Sequence, residues 1–513
     1  MADSPTARVA AAYRRIAEVD RPEVWITLRE QADVLADAAG VEQRAAAGDD
    51  VPLAGLIVAV KDNIDVAGLP TTAACPEFAY TPTSTAAAVE RLLAAGAVVL
   101  GKANLDQFGT GLVGTRSPYG AVRNSHHPQL VSGGSSSGPA VAVALGIADI
   151  GVGTDTAGSV RVPAALNGVA GIKPTLGIVP THGVVPACAS FDAVSVLAAD
   201  VGLAAAAVEV MAGPDSRDPR SRSWPADLRL AAPAAPRLAV PDAANLAAVS
   251  DAYRDAFERT VARAARAGLR IEPLDISVLL EAALLLYDGA FVAERYDAVG
   301  EFLDTAPPGA DPVVTQVITA ARSVTGVAFA ADLNALMRAR SAAADLLAGF
   351  DGLLLPTTTE HPSLDEVRAD PYAINRRMGT YTNFCNLLDM AAVAVPGEPT
   401  TSGTSFGVTI VVPAFHDQVA VDIAARLSGC ASALLTEASC ELAVFDAHVD
   451  GLLEQLGARH VGEVETAKGR GEVFRISEAG LGRLVATLPA QVSMAGVELA
   501  DGRRVVGLAA EPH

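Results

Sequence analysis

The thirty residues 132–161, SGGSSSGPAVAVALGIADIGVGTDTAGSVR, constrain this chain more than any other stretch. Two Gly/Ser turns enclose a run that is almost wholly apolar. Gly133 and Gly134 permit backbone angles that serines resist, and Pro139 suits the first turn of a helix reaching about Ile147. About ten helical residues rise roughly 15 Å. The apolar residues 149–153 return a similar distance as a strand, at roughly 3.3 Å per residue. The second turn, residues 154–159, then lies beside the first. Ser159 comes near Ser135, and the backbone N–H groups of Thr156, Ala157 and Gly158 are free to face a developing oxyanion. Acyl transfer through a serine nucleophile needs such an arrangement. Two Gly/Ser turns inside a buried α/β layer satisfy the same spacing equally well.

The wording of the stretch separates the two readings. GGSSSG at residues 133–138 and DTAGS at residues 155–159 resemble the two signature loops of the amidase signature family. Upstream, VKDNIDVAGLPTT carries Lys61, Asp62 and Asn63 and resembles the family's lysine segment. The resemblance implies that Ser159 is the nucleophile, Ser135 a bridging serine that follows a cis peptide, and Lys61 the base. A lysine acts as a base only when neutral, so its pKa must fall from about 10.4 through burial or cationic neighbours. Ser135 would pass the Ser159 proton to Lys61 and later to the leaving amine. None of the eight histidines stands in a Ser-His-Asp elbow, and residues 157–160 do not fit G-x-S-x-G. The Gly-rich loop lacks the Gly-Lys-Ser/Thr ending of a phosphate loop. This chemistry needs no metal and no organic cofactor.

Composition excludes several other classes. A net charge of −21 argues against a nucleic-acid partner. No run reaches the roughly 18 to 20 uncharged apolar residues of a spanning helix. The N-terminus, over about residues 1–48, reads as an amphipathic helix with charges every few residues, not as a signal peptide. Cys75, Cys188, Cys385, Cys430 and Cys440 lie far apart, outside any disulfide or zinc pattern. A reduced, cytoplasmic protein is expected.

Along the chain, residues 53–60 read as a strand that places Lys61 on its end, and residues 98–100 as another strand. Asp155 and Arg161 flank the nucleophile turn and are expected to pair with each other or with the loop backbone. His182 and Cys188 read as core residues. The Pro/Ala-rich stretch WPADLRLAAPAAPRLAVPDAAN reads as a surface connection into a strand. Further on comes LLLYDGAFVAERYDAVGEF. On a helix, the eight residues from Tyr287 to Arg295 span about 12 Å of rise, so the pair can bracket one small anion. The alternative is an Arg295 ion pair with Glu294 or Asp288 beside a packed Tyr287. The wording here resembles the allophanate hydrolase branch of the family, which implies that Tyr287 and Arg295 recognise a substrate carboxylate; Ala157 fits the same branch. Asn383, Asn386 and Asp389 read as satisfied polar groups of an apolar helix, and His361 as a neighbour of the pocket.

The expected fold is α/β, an amidase-signature domain over residues 1–430 with a mixed central sheet surrounded by helices. Residues 431–440 are a linker. Residues 441–513 resemble a shortened C-terminal domain of allophanate hydrolases and form a small α+β unit, with turns at Asp501–Gly502 and at residues 469–471. The resemblance implies hydrolysis of allophanate, a small carboxylated amide, in urea or related nitrogen-compound degradation. It also implies a homodimer, and leaves open a place in a larger amide-degrading assembly. The alternatives are a broader amidase or transamidation subunit, and an inactive structural subunit.

Overall fold

The computed structural model describes residues 4–436, 439–445, 449–466, 469–489 and 491–510. Its centre is an eleven-stranded sheet. In chain order the strands are β1 Trp25–Leu28, β2 Ile57–Lys61, β3 Val98–Ala103, β4 Ile150–Asp155, β5 Ala170–Lys173 and β6 Ala193–Ala198. They continue as β7 Arg237–Pro241, β8 Arg270–Leu274, β9 Gly352–Pro356, β10 Met390–Pro396 and β11 Gly407–Pro413. Across the sheet the order is β1-β3-β2-β4-β6-β5-β10-β11-β9-β7-β8. Strand β2 runs parallel to β3 and β4, whereas β4 and β6 are antiparallel, so the sheet is mixed. Every residue of β2, β3, β4, β6 and β9 is buried. Strands covered on both faces read as near-continuous Val/Ile/Ala/Gly runs, which is why these segments lack alternation.

Several boundaries move. The N-terminal segment is two helices, Pro5–Val19 and Gln31–Ala47, separated by β1, and residues 1–3 lie outside the described residues. The break follows from Asp20 in the left-handed region (φ 48°) and from Pro22, which cannot continue the preceding helix. Strand β2 starts only at Ile57, because residues 53–56 turn through Gly55. The helix after the serine loop spans Ser137–Ala144, and Gly146 (φ 67°) closes it before Ile147.

A second sheet holds β12 Cys440–Phe445, β13 Arg459–Thr466, β14 Gly469–Ile476, β15 Val492–Glu498 and β16 Arg504–Ala510, in the order β13-β14-β12-β16-β15. The turn at Asp501–Gly502 is present, with the Gly502 N–H donating to the Leu499 carbonyl at 3.0 Å. Residues 469–471 instead open β14; the residues joining it to β13, 467–468, lie outside the described residues. Of the expected linker, residues 437–438 also lie outside them.

The Pro/Ala-rich stretch is not a mere surface connection. Leu228 and Leu230 are buried, the Leu230 N–H donates to the Gly457 carbonyl, and the Ala479 N–H donates to the Ala226 carbonyl. Arg459 adds an ion pair to Asp422 at 2.8 Å. The strip is therefore a dock for the second sheet. Among the described residues no single helix is long and apolar enough to cross a membrane.

Candidate active site

Lys61 ends β2, which lies between β3 and β4 in the sheet, and is fully buried. Its Nζ donates to Ser135 Oγ at 2.8 Å, to Thr154 Oγ1 at 2.7 Å and to the Thr154 carbonyl at 3.2 Å. Burial lowers its pKa to about 7, against the upward pull of the Asp106, Asp192 and Asp155 carboxylates. A neutral Nζ retains a lone pair that can take the Ser135 proton.

The peptide bond Gly134–Ser135 is cis. The turn is held from both sides: the Asp106 N–H donates to the Ser135 carbonyl at 3.1 Å, and the Asp106 carboxylate accepts from the N–H groups of Val113, Gly114 and Arg116. A Cβ at Gly134 would stand 2.1 Å from Asp106 Oδ2, so only glycine fits.

Strand β4 ends at Asp155, and the nucleophile turn is built around that carboxylate. Asp155 accepts from the N–H groups of Gly158, Val160 and Arg161 and from the Arg161 guanidinium, whose Nη2 lies 2.8 Å from Oδ1. Both side chains are fully buried. Burial by itself would raise the Asp155 pKa, but Arg161 and the backbone donors hold it at about 2. The expected pairing of Asp155 with Arg161 and with the loop backbone is present. The Ser136 N–H donates to the Ser159 carbonyl at 3.0 Å, which ties the two serine turns together.

One expectation about the oxyanion donors is corrected. The Gly158 N–H is committed to Asp155 Oδ1 at 2.8 Å. Thr156 and Ala157 remain as expected donors without an acceptor among the described residues. Gly158 serves another purpose: its φ is 114°, and a Cβ there would come 2.4 Å from Thr382 Oγ1.

Tyr287 and Arg295 do not share one helix. The helices Ser277–Leu284 and Ala293–Leu303 are separated by a turn through Gly289 and a short 3₁₀ segment. The break brings the two side chains into contact, with Arg295 Nη2 donating to Tyr287 Oη at 3.0 Å and the guanidinium 4.8 Å from the ring centroid. Arg295 Nη1 donates to Thr110 Oγ1 at 3.0 Å, and Nε has no partner. Arg295 is 1% exposed, yet among the described residues no carboxylate lies at ion-pair distance from it. The alternative partners are engaged elsewhere: Asp288 with Arg376, and Glu294 with the Ser190 N–H.

Asp192 connects these parts. Its carboxylate accepts from Thr156 Oγ1 and from the Ala187 and Cys188 N–H groups. Its charge also acts on both Lys61 and Arg295. Sequence reasoning missed Asp106, Asp192, Thr110 and Thr154, because what each does depends on contacts with segments distant in the chain. Asn386 was placed among satisfied core groups; it donates to the Asp155 and Phe191 carbonyls and accepts from Arg161. Thr382 Oγ1 donates to the Ala157 carbonyl at 2.6 Å. Asp389 lies outside the helix Asn383–Leu387 and pairs with Arg222, partly exposed.

Cys188 is buried as expected, and burial pushes its thiol well above the ordinary range. His182 is only half-buried, and its carbonyl accepts from the Ala87 N–H. His361 Nε2 contacts the Val131 carbonyl at 2.9 Å, and burial lowers its pKa to about 4, so it stays neutral near pH 7.

The family model described as Amidase matches residues 7–421. The urea amidolyase of Saccharomyces cerevisiae is 39% identical over 429 residues, covering 80% of this chain and 22% of that protein. That of Lachancea kluyveri is 36% identical over 94% of this chain and 30% of its own length. The chain thus spans less than a third of these two relatives. Among solved structures, Kluyveromyces lactis allophanate hydrolase superposes with a TM-score of 0.89 at 33% identity, over 99% of this chain and 93% of that one.

Proposed function

The chain belongs to the amidase family, and from that premise we propose that it hydrolyses allophanate, with Ser159 as nucleophile, Ser135 as proton relay and Lys61 as base. The observation that carries the substrate is Arg295. A buried guanidinium whose hydrogen bonds go only to hydroxyl groups, with no carboxylate at ion-pair distance among the described residues, is costly to bury unless an anion joins it directly. A substrate carboxylate supplies that anion, and its planar oxygens match the guanidinium fork. The likeness to K. lactis allophanate hydrolase supports the same choice.

The reaction runs as follows. Ser159 Oγ bonds to the carbamoyl carbon while its proton passes through Ser135 to Lys61. The N–H groups of Thr156 and Ala157 receive the oxyanion. The C–N bond breaks, and the nitrogen leaves as ammonia with a proton returned through Ser135. Water then cleaves the acyl-enzyme to release N-carboxycarbamate, which loses carbon dioxide and yields a second ammonia. The remaining parts of the reading are residues 1–430 as the catalytic domain, 431–440 as linker, 441–513 as an accessory domain, and a homodimer within a cytoplasmic urea-degrading system. The two urea amidolyases support a larger assembly.

The deciding measurement is ammonia release from allophanate by the purified protein and by Arg295→Ala. The variant is expected to lose at least a hundredfold in kcat/KM, the scale of a truncated charged contact to substrate. Hydrolysis of neutral amides independent of Arg295, with allophanate inert, would instead favour the broader amidase. A pH profile tests Lys61 separately. The active form is the neutral amine, so kcat/KM is expected to rise about tenfold per pH unit below roughly 7 and to level off above it. A profile flat from pH 5 to 9 (roughly the interval around that pKa) would remove Lys61 from the base role.

A further inference from the structure

Beside the carboxylate clamp lies a cavity much larger than allophanate requires. Its volume is about 840 Å³, in the range of pockets that enclose drug-sized ligands. Leu280, Leu284, Val317 and Val324 give it an apolar wall, with Leu284 half exposed. Tyr287 and Asn383 also line it. These two residues join the cavity to the proposed site. The Tyr287 hydroxyl is the partner of Arg295, and the Asn383 amide, in the orientation that satisfies it, donates to the Ala157 carbonyl at 3.0 Å. The apolar space therefore shares Tyr287 with the clamp and touches the nucleophile turn through Asn383. Asp288 and Arg376, paired with each other, lie on the lining as well.

A compound whose atoms are all consumed by the clamp and the nucleophile leaves these leucines and valines without a ligand. We infer that the site also takes amide acids that carry an apolar branch between carboxylate and amide, with the branch lodged in this cavity. The inference rests on the reading that Arg295 and Tyr287 hold the carboxylate. The simplest members of the class are 2-alkylmalonamates, in which a CHR group replaces the central N–H of allophanate. Their reaction balances in the same way. Ser159 Oγ forms the ester with the amide carbonyl, the C–N bond breaks with release of ammonia, and water frees the 2-alkylmalonate.

The test separates binding from turnover. Ser159→Ala protein is titrated calorimetrically with malonamate and its 2-methyl to 2-hexyl derivatives. Each buried methylene is expected to tighten binding about two- to fourfold, until the cavity is filled. In Ser159→Ala/Leu280→Trp and Ser159→Ala/Leu284→Asp, which fill or wet the wall, the ratio of hexyl to unsubstituted affinity is expected to fall toward one. A series that is flat or weakens with chain length overturns the inference, as does a chain-length gain that survives both wall substitutions. Allophanate turnover by the unmodified protein is scored separately, so failure of the substrate assignment shows there, whatever the calorimetric slope.

Discussion

Ser159→Ala is expected to lower kcat for ammonia release by about 10⁴ to 10⁶, with the fold unchanged by circular dichroism. Lys61→Met is expected to lose a comparable amount. Its thioether replaces an amine whose charge burial already disfavours. Lys61 bonds directly to Ser135, and in the proposed proton path Ser135 links it to Ser159, so on that path the two groups would act as one unit. The double variant should therefore be no worse than either single variant. Additive losses would mean that Lys61 and Ser159 act in separate steps, and the proton path through Ser135 would have to be abandoned. Residual activity of a tenth or more in Ser159→Ala would place the nucleophile elsewhere.

The second large effect is on stability. Asp155→Asn is expected to cost about 3–5 kcal/mol in chemical denaturation, the scale for removing one partner of a buried ion pair. Arg161 would keep its charge at zero exposure, and the Gly158, Val160 and Arg161 N–H groups would lose an ionic acceptor. The pH dependence has a definite sign. Asp155 titrates at about 2 in the folded chain against 3.8 ordinarily, so it contributes its stabilisation above 3.8 and loses it as pH falls toward 2. Acid titration of the parent should therefore show a stability loss in that window that Asp155→Asn lacks. Removing both charges in Asp155→Leu/Arg161→Met should destabilise less than the sum of the single changes. An Asp155→Asn protein as stable as its parent would show that the pair does not hold the turn.

What was legible in the sequence was local. A Val/Ala run ending in lysine, a Gly/Ser turn before a helix and a second turn after a strand each carry their pattern within a dozen residues. The structure places the first at the end of β2 and the last at the end of β4, neighbours in the sheet. The parts that were not legible depend on contacts across the chain. Nothing near Gly158 announces that Asp155 has taken its N–H, because that follows from how the carboxylate folds back over the turn. The helix expected through Tyr287 and Arg295 breaks at Gly289, where a Cβ would lie 2.6 Å from Asp332 Oδ2, a partner more than forty residues away. The dock at residues 226–234 has no periodicity of its own, and its backbone partners, Gly457 and Ala479, lie more than two hundred residues on.

The supports of the nucleophile turn carry a timetable. Asn386 reaches the Asp155 carbonyl across 231 residues of chain, and Thr382 reaches that of Ala157 across 225. At a synthesis rate of about 5–20 residues per second, the ribosome needs roughly 10 to 50 s to deliver these supports after Ser159 has been made. Throughout that interval the nascent polypeptide already contains its lysine and both serines, but not the braces that shape the turn. The turn is thus braced only after residues 382–386 have been made.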